Sequence, residues 1–484
     1  MRHSVNVVLV LLYVALAAHL YGKGAMRAID SIGYWDMDPI RSPLYPLFLQ
    51  PFLRGGALTE STLLPAVQLG MGAIAVLVLC GYLRRRFELT FTATLLVSVA
   101  IVFPYLGAEF GNQILSEGLA YPLFLIVVRY LLGAVLDRSA SALAAASLVC
   151  VPLVLTRGQF LFLYPILGST ALWMFLCRVS PRVAVVRAGA VLALSIAGSS
   201  VLERTYHHVL HDRFSATPYT GIHLVALPLY VATAADAERL AEPEKAFFEA
   251  TFAKLTRSNQ TSDSFVEALV SPDEAATPTQ KKSRNSRFMA DRGSKDNDSW
   301  RDVGRPRVPS RAAQRDDPEQ IHGLRGFRLD FRNYAQSFET MVHRVIKKEA
   351  RSGRSGQSEM DSWIDADELT TSTALSLIRA NPGPYAKFYA MNVLEGLGRR
   401  QWGPMVLLVI VASALLARRS SVAVLVFVAG LVAVGNAMLV GLVQPTHVFR
   451  YTAYGDALVA ASLLVAFFVA TRASRGADEF SAVE

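Results

Sequence analysis

The chain of 484 residues has little charge and little cysteine. Charged residues make up 18% of it, hydrophobic residues make up 52%, and the mean hydropathy is +0.33. A soluble protein carries about 25% charged residues, so several apolar segments of this chain are expected to lie in lipid. The three cysteines lie in or beside apolar segments, which argues against a disulfide framework and against a thiolate metal site.

Several functional motifs are also missing. The sequence has no P-loop, no dinucleotide-binding glycine fingerprint and no nucleophile elbow. Their absence argues against an ATP-driven transporter, and any group transfer must therefore use an activated donor. The net charge of +9 does not indicate nucleic acid as a partner, because most cations outside residues 203–400 flank apolar segments, where positive residues orient a membrane protein.

The apolar segments predict an all-α polytopic membrane protein with about ten transmembrane helices. A span needs roughly 20 apolar residues. The candidate spans are 5–22, 63–83, 88–106, 119–136, 140–156, 159–176, 184–202, 402–417, 421–443 and 453–471. The first of them has the features of a signal peptide, but we predict an uncleaved span because an acidic loop follows it.

These spans divide the chain into four predicted parts. They are an N-terminal module of seven spans (1–202), an extracytoplasmic region (203–401), a module of three spans (402–471) and a cytoplasmic tail (472–484). With the N-terminus in the cytoplasm, the arginines that flank the spans lie inside, as the positive-inside rule requires. The loops 23–62, 107–118 and 444–452 and the large region then face outward. We predict a multi-pass protein of the bacterial inner membrane whose site faces the periplasm.

The extracytoplasmic region is heterogeneous. Residues 256–320 are rich in Ser, Asp, Lys, Arg and Pro and have little apolar periodicity, which predicts a disordered insertion. An alternative reading of its basic charge is contact with an anionic lipid or polymer. Residues 369–397 are predicted to form helices at the membrane interface, broken at Asn381-Pro382.

Asp30, in the first outer loop, is the candidate catalytic base. Acceptor hydroxyls need a positioned base, and partial burial of a carboxylate raises its proton affinity. Tyr34 follows four residues later, so a helical turn would place both on one face, and we predict that Tyr34 binds substrate. The simpler alternative for Asp30 is plain solvation. Asp36 and Asp38 are predicted to be solvated or capping groups.

Acids and cations of the other outer segments are the further candidates. Glu117 is either an acid that assists Asp30 or, behind an N-cap at Ser116, a residue stabilised by a helix dipole. An acid that orients a divalent cation is a related possibility, so the cation is a possible cofactor. A guanidinium can bind phosphate oxygens bidentately. The predicted substrate-binding residues besides Tyr34 are Arg41, Glu109, Arg157, His447 and Arg450.

Two segments of the outer loops resemble a known family. The order apolar span, Asp30-x-x-x-Tyr34 and then Arg41-Ser-Pro43-Leu-Tyr-Pro resembles the first outer loop of the glycosyltransferase-C superfamily. The nearest in pattern are the protein O-mannosyltransferase-like and aminoarabinose transferase-like membrane enzymes. The segment Ser-Glu117-Gly-Leu-Ala-Tyr-Pro-Leu-Phe resembles the family's Ser-Glu-x-Leu-Phe segment at the fourth span.

Two later segments extend this resemblance. Thr-Arg157-Gly158-Gln-Phe-Leu is similar to the family's Thr-Arg-Pro-x-x-Leu turn, with glycine in place of the proline. Arg450-Tyr451 is similar to an Arg-Tyr pair before the family's last span.

The resemblance covers residues 5–202 and 369–471, and it implies a function. It implies that Asp30 is the catalytic base, that Glu117 assists, and that the donor is a sugar on a polyprenyl phosphate, transferred with inversion to a lipid, glycan or protein acceptor. Two other functions stay open: a lipid or polysaccharide transporter or flippase, and a non-catalytic cell-envelope scaffold. A transporter needs ionisable residues along a path through its spans, and the sequence places only Arg129 clearly within one, which counts against that reading.

Overall fold

The computed structural model describes residues 13–14, 17–28, 30–53, 62–107, 109–257, 358–397, 403–417, 419–443 and 448–481. Within these ranges the regular elements are helices and there is no β-strand, which confirms the all-α prediction. One isolated bridge pairs Met26 with Gln113.

The α-helices follow one another along the whole described chain. They are α1 (Ser31–Trp35), α2 (Leu44–Leu53), α3 (Leu63–Phe87), α4 (Phe91–Gly107), α5 (Glu117–Leu136), α6 (Ala140–Thr156), α7 (Leu163–Leu176), α8 (Arg182–His211), α9 (Thr220–Leu224), α10 (Ala226–Val231), α11 (Glu244–Arg257), α12 (Glu359–Ala380), α13 (Pro382–Gly396), α14 (Gly403–Leu416), α15 (Ser421–Val443) and α16 (Val448–Ser481). Short 3-10 helices occupy Gly158–Phe162 and Ala234–Arg239.

Six helical segments of the described chain are long and apolar enough to cross a membrane. They are Leu63–Phe87, Glu117–Leu136, Gly158–Leu176, Arg182–His211, Ser421–Leu442 and Tyr451–Ser474. The predicted spans 88–106, 140–156 and 402–417 coincide with shorter apolar helices, and the span 5–22 lies mostly outside the described residues. The membrane class is therefore supported, whereas the count of ten spans stays a prediction.

Helix α5 is the most enclosed of the candidate spans. In its most apolar window 67% of the residues are buried, against 28% for α8. Since a helix that is apolar on all sides is typical of a core position, α5 packs against α3, α6 and α15. Its aromatic residues Tyr121 and Phe124 both contact the ring of Tyr454 in α16. The first turn of α5 is thereby held firmly, and that turn begins with Glu117.

The polypeptide breaks between α6 and α7, as the sequence predicts. Helix α6 ends at Thr156, Arg157 has an extended backbone with φ of −161°, and the 3-10 helix starts at Gly158. Arg157 therefore lies at a helix end and not on the side of a helix.

Of the other predicted boundaries, the one at residue 202 differs from the structure and the one near residue 381 agrees with it. Helix α8 continues past the predicted boundary at residue 202 and ends at His211. The break near residue 381 separates α12 from α13, and Pro382 occupies the first helical position, where a missing N–H costs nothing. Apart from its first two residues, the predicted insertion 256–320 lies outside the described residues.

The chain separates into two compact units. Among the described residues, the smaller unit contains 225–257 and 373–385, and the larger unit contains the remainder. In the smaller unit Ser376 donates a hydrogen bond to Glu244, and Arg239 donates one to the carbonyl of Ala380. All residues of the candidate site described below belong to the larger unit.

Candidate functional site

The loop before α1 and the loop before α5, which the sequence predicts to face outward, are joined through their backbones. The amide of Met26 donates to the carbonyl of Asn112 at 2.7 Å, and the amide of Ile114 donates back to Met26 at 2.9 Å. The buried hydroxyl of Ser31 donates to the carbonyl of Ile114 at 2.9 Å. Helix α1, which Ser31 begins, is thereby fixed against the segment that leads into α5.

Asp30, immediately before α1, forms an ion pair with Arg41. The distance from Arg41 Nη2 to Asp30 Oδ1 is 3.1 Å, and the two side chains are 21% and 24% exposed. The same guanidinium lies over the ring of Tyr34, with Cζ 4.9 Å from the ring centroid. Asp30 and Tyr34 thus both contact Arg41. Gly33 makes this approach possible, because a Cβ there would lie 2.8 Å from Arg41 Nε.

The surroundings of Arg41 keep it charged. Burial lowers the pKa of the guanidinium, but its interactions with Tyr34 and Asp30 raise it more, so the pKa lies above its ordinary value. Its Nε is buried and has no hydrogen-bond partner among the described residues. This N–H group is enclosed by the protein beside Gly33, so an incoming acceptor atom can reach only the terminal nitrogens of the guanidinium.

Ser116 connects Tyr34 with a buried ion pair. The phenol oxygen of Tyr34 lies 3.0 Å from Ser116 Oγ. Ser116 Oγ donates to Glu117 Oε2 at 3.4 Å and accepts from Arg157 Nη1 at 3.2 Å. Since its single proton goes to Glu117, the proton between Tyr34 and Ser116 comes from the phenol. Ser116 makes no side-chain cap of α5, so the predicted capping role is not seen.

Glu117 and Arg157 form the most buried ion pair of the site. The distance from Arg157 Nη1 to Glu117 Oε1 is 2.7 Å, and the side chains are 12% exposed for Arg157 and 0% for Glu117. A buried carboxylate is tolerated only when it is paired and hydrogen-bonded. Glu117 also lies in the first turn of α5, where the helix dipole favours negative charge. Glu117 therefore holds the guanidinium of Arg157 in place.

Arg157 is also held from the C-terminal end of the chain. Its guanidinium carbon lies 4.3 Å from the ring centroid of Tyr451, in the first turns of α16. The carbonyl of Tyr451 accepts hydrogen bonds from Asn436 at 2.9 Å and from Gln159 at 3.5 Å. Three parts of the chain that are distant in sequence therefore meet at Arg157.

These contacts form one continuous path. It runs from the half-buried Asp30 through Arg41, Tyr34, Ser116 and the Glu117–Arg157 pair to Tyr451. Chemically, the path offers one carboxylate that can accept a proton and two guanidinium groups that can bind an anion.

Sequence reasoning missed two residues that support this path. Tyr45 packs edge-on against Tyr34 with ring centroids 4.9 Å apart, and its hydroxyl donates to Gln68 Oε1 at 3.1 Å. Gln68 Nε2 in turn lies 3.2–3.3 Å from the carbonyls of Phe110, Gly111 and Gln113. In the sequence, the available signal was a single amide within an apolar segment. In the structure that amide is fully buried in α3 and must be hydrogen-bonded.

Other predicted site residues lie elsewhere or cannot be placed. Glu109 has a positive φ of 56° and forms an ion pair with Lys23 at 2.5 Å, partly exposed to solvent. His447 lies outside the described residues, and Arg450 is in the first turn of α16 but its side chain is not among those described. Asp38 accepts a hydrogen bond from the amide of Ile40 at 3.2 Å, which forms an Asx turn and not a helix cap.

Metal binding receives no further support from the described part of the chain. No group of three or more His, Cys, Asp or Glu side chains is arranged there to hold a metal ion. The divalent cation stays a possibility based on the sequence.

Replacing Gly118 with alanine is expected to destabilise the site by about 1–3 kcal/mol, because the new Cβ would collide with the Gln68 amide and lie 3.0 Å from the carbonyl of Phe110. Thermal unfolding in detergent, followed by circular dichroism, measures the effect. The matched control is Gly198→Ala in α8, where a Cβ meets nothing within 4 Å. There we expect no loss, since alanine is the better helix residue. Equal melting temperatures for the two variants would contradict the close packing at Gly118.

No protein-family model, curated protein or solved structure matches this chain. The function is therefore inferred from the chemistry of the site and from the motif resemblance.

Proposed function

We propose that this protein is a membrane glycosyltransferase of the glycosyltransferase-C type. It moves a sugar from a polyprenyl-phosphate donor to an acceptor hydroxyl on the extracytoplasmic face. The observation that carries the proposal is the contact path from Asp30 to Tyr451. It combines a half-buried carboxylate with two arginines at one end of a helical, apolar protein.

Asp30 is the general base of the proposed reaction. Partial burial disfavours the charged form of a carboxylate, as the sequence suggested for Asp30. The adjacent guanidinium of Arg41 favours the charged form and so acts in the opposite direction. Asp30 accepts the proton of the acceptor hydroxyl as its oxygen bonds to the anomeric carbon. The bond from that carbon to the phosphate oxygen breaks, and polyprenyl phosphate leaves with the electron pair.

The arginines stabilise the charge that develops on the leaving phosphate. Arg41 suits this role because it is partly exposed and its hydrogen bond to Asp30 uses only one of its N–H donors. Arg157 is the second candidate, held in place by Glu117. Glu117 is fully buried and lies against Arg157, which supports a positioning role and not direct proton transfer.

The proposed orientation places the site outside the cytoplasm. Gln68, near the start of α3, contacts the site, whereas Arg84, Arg85 and Arg86 occupy the last turn of the same helix. Positive residues mark the cytoplasmic end of a span. This charge pattern supports a site on the outer side, which is the periplasm in the bacterial inner membrane that we propose.

A transfer assay tests the proposal. Membranes containing the protein are incubated with tritiated polyprenyl-phosphate mannose, glucose or arabinose, and label is counted in lipid, glycan and protein fractions. We expect transfer of at least one sugar above the level of membranes that lack the protein. Mass spectrometry of the purified protein should also find a retained isoprenoid phosphate. Absence of both label transfer and a retained isoprenoid phosphate would favour the transporter or scaffold alternatives.

A further inference from the structure

A cavity lies far from the candidate site, between the C-terminal halves of α3 and α5. Its volume is about 350 Å³. The residues that line it are Leu77, Val78, Gly81, Arg85, Arg129 and Tyr130. The cavity therefore combines an apolar wall with two guanidinium groups and one phenol.

Arg129 is an arginine within a candidate span, and no carboxylate of the described residues forms an ion pair with it. It is half-buried, and its guanidinium carbon lies 4.0 Å from the ring centroid of Tyr82 and 5.6 Å from that of Tyr130. Within the described ranges it forms no ion pair. The nearby carboxylate of Asp137 is already engaged, since it lies 3.3 Å from Arg86 and accepts a hydrogen bond from Tyr82 at 3.0 Å.

Arg85 adds a second positive charge to the same cavity. It is exposed, and in the described part of the chain it also makes no ion pair. Arg129 lies within a candidate span, where a charged residue is costly unless an opposite charge compensates it. Asp137 is already bound to Arg86 and Tyr82. The positive charge of Arg85 and Arg129 is therefore left for a bound anion to compensate.

The apolar wall indicates what kind of anion fits. Ile74 and Val78, one helical turn apart on α3, are 62% and 39% exposed. They form an outward-facing apolar track that runs along the helix to Gly81 and Arg85. In a membrane this track contacts lipid chains, so an amphiphile can lie with its chain on Ile74 and Val78 and its head at the arginines.

We propose that this cavity binds an anionic glycerophospholipid, with its phosphate between Arg85 and Arg129. Guanidinium groups bind phosphate oxygens bidentately, and basic pockets between transmembrane helices are typical sites for anionic lipid head groups. The apolar track favours a lipid over free phosphate. The proposed orientation places this lipid in the cytoplasmic leaflet, and the inference does not depend on the glycosyltransferase proposal.

Gly81 allows the cavity to be filled without disturbing the fold. A Cβ at Gly81 meets nothing within 4 Å, so Gly81→Leu places its side chain into the cavity. Gly70→Leu is the matched control, because Gly70 lies on the same helix, is exposed and also has nothing within 4 Å of a Cβ. Arg129→Gln removes the unpaired charge, and Arg187→Gln removes an exposed charge near the start of α8.

Native mass spectrometry of the detergent-purified full chain tests the proposal, with phosphatidylglycerol, phosphatidylcholine and inorganic phosphate as probes. We expect wild-type protein to retain phosphatidylglycerol in preference to phosphatidylcholine. Arg129→Gln should weaken that retention about tenfold, the effect of one charge-assisted hydrogen bond. Gly81→Leu should weaken it at least as much because its side chain occupies the cavity, while both controls match wild type.

Three results would overturn the proposal. They are unchanged phosphatidylglycerol retention in Gly81→Leu, equal retention of both lipids by wild type, or complete competition by inorganic phosphate. The last would identify a site for phosphate and not for lipid. If Arg129→Gln fails to fold, as its circular dichroism would show, Gly81→Leu alone still decides the question.

Discussion

Replacing Asp30 with asparagine is expected to lower sugar transfer by roughly 10²–10⁴-fold, the usual contribution of a general base. The amide has nearly the same shape as the carboxylate, but it cannot accept the proton of the acceptor hydroxyl. Loss of the ion pair with Arg41 should change stability by only about 1 kcal/mol or less, because both side chains are partly exposed. The effect on turnover should therefore be separate from any effect on folding.

Initial rates of transfer with a tritiated polyprenyl-phosphate sugar measure this effect. Asp36→Asn is the matched control: it removes the same charge six residues away, from an exposed position at the end of α1. It should transfer sugar at the wild-type rate. If Asp30→Asn and Asp36→Asn are equally active, Asp30 is not the base. If both are equally impaired, the loss reflects the charge of the loop and not proton transfer.

Truncating either member of the Glu117–Arg157 pair to alanine is expected to cost about 3–5 kcal/mol in the free energy of unfolding. Each substitution leaves the opposite charge buried, and Glu117 has no access to water that would compensate the loss. The double variant should lose less than the sum of the two single variants, because it leaves neither charge alone. Chemical denaturation in mixed micelles supplies these free energies.

An exposed ion pair provides the control for this cycle. Lys23 and Glu109 lie 2.5 Å apart with side chains 38% and 29% exposed. Glu109→Ala should therefore cost only about 1 kcal/mol or less. A loss from Glu117→Ala as small as that from Glu109→Ala would show that the buried pair does not hold the loops. Arg157→Lys keeps the charge but loses bidentate geometry, so a stable and inactive Arg157→Lys would separate the phosphate role from the structural one.

The sequence predicted most of the charged and hydroxyl-bearing residues of this path, but not the residues that support it from neighbouring helices. Asp30, Arg41 and Arg157 are polar residues beside long apolar segments, and such residues are visible in a hydropathy pattern. Their convergence could be inferred only from orientation, since charges in outer loops share one side of the membrane. Which of them touch depends on helix packing, and the sequence does not carry that information in any short motif.

Tyr45 and Gln68 show why the residues that support the path were missed. Both lie in apolar helices, where an aromatic ring and a single amide look like ordinary core residues. Their role comes from a hydrogen bond between α2 and α3 and from three carbonyls in the second outer loop. The predicted cap at Ser116 failed for a related reason: a buried hydroxyl beside Arg157 and Tyr34 has stronger partners than a helix amide.

The positions of the apolar helices were predictable from the sequence, but their exact ends were not. Composition located the apolar segments, and the turn at Arg157-Gly158 was visible as a polar interruption. The exact ends were not, because α8 extends through a polar stretch to His211. Helix ends depend on capping and neighbouring contacts more than on hydropathy.

The contact between Arg157 and Tyr451 has a consequence for biogenesis. Gln159, two residues after Arg157, bonds to the Tyr451 carbonyl across 292 positions of the polypeptide. During synthesis, the arginine therefore emerges from the ribosome long before the ring that covers it. A nascent protein stalled ahead of α16 would present that guanidinium uncovered. If the proposed function is right, the newly inserted protein is thus expected to transfer no sugar until α16 enters the bilayer.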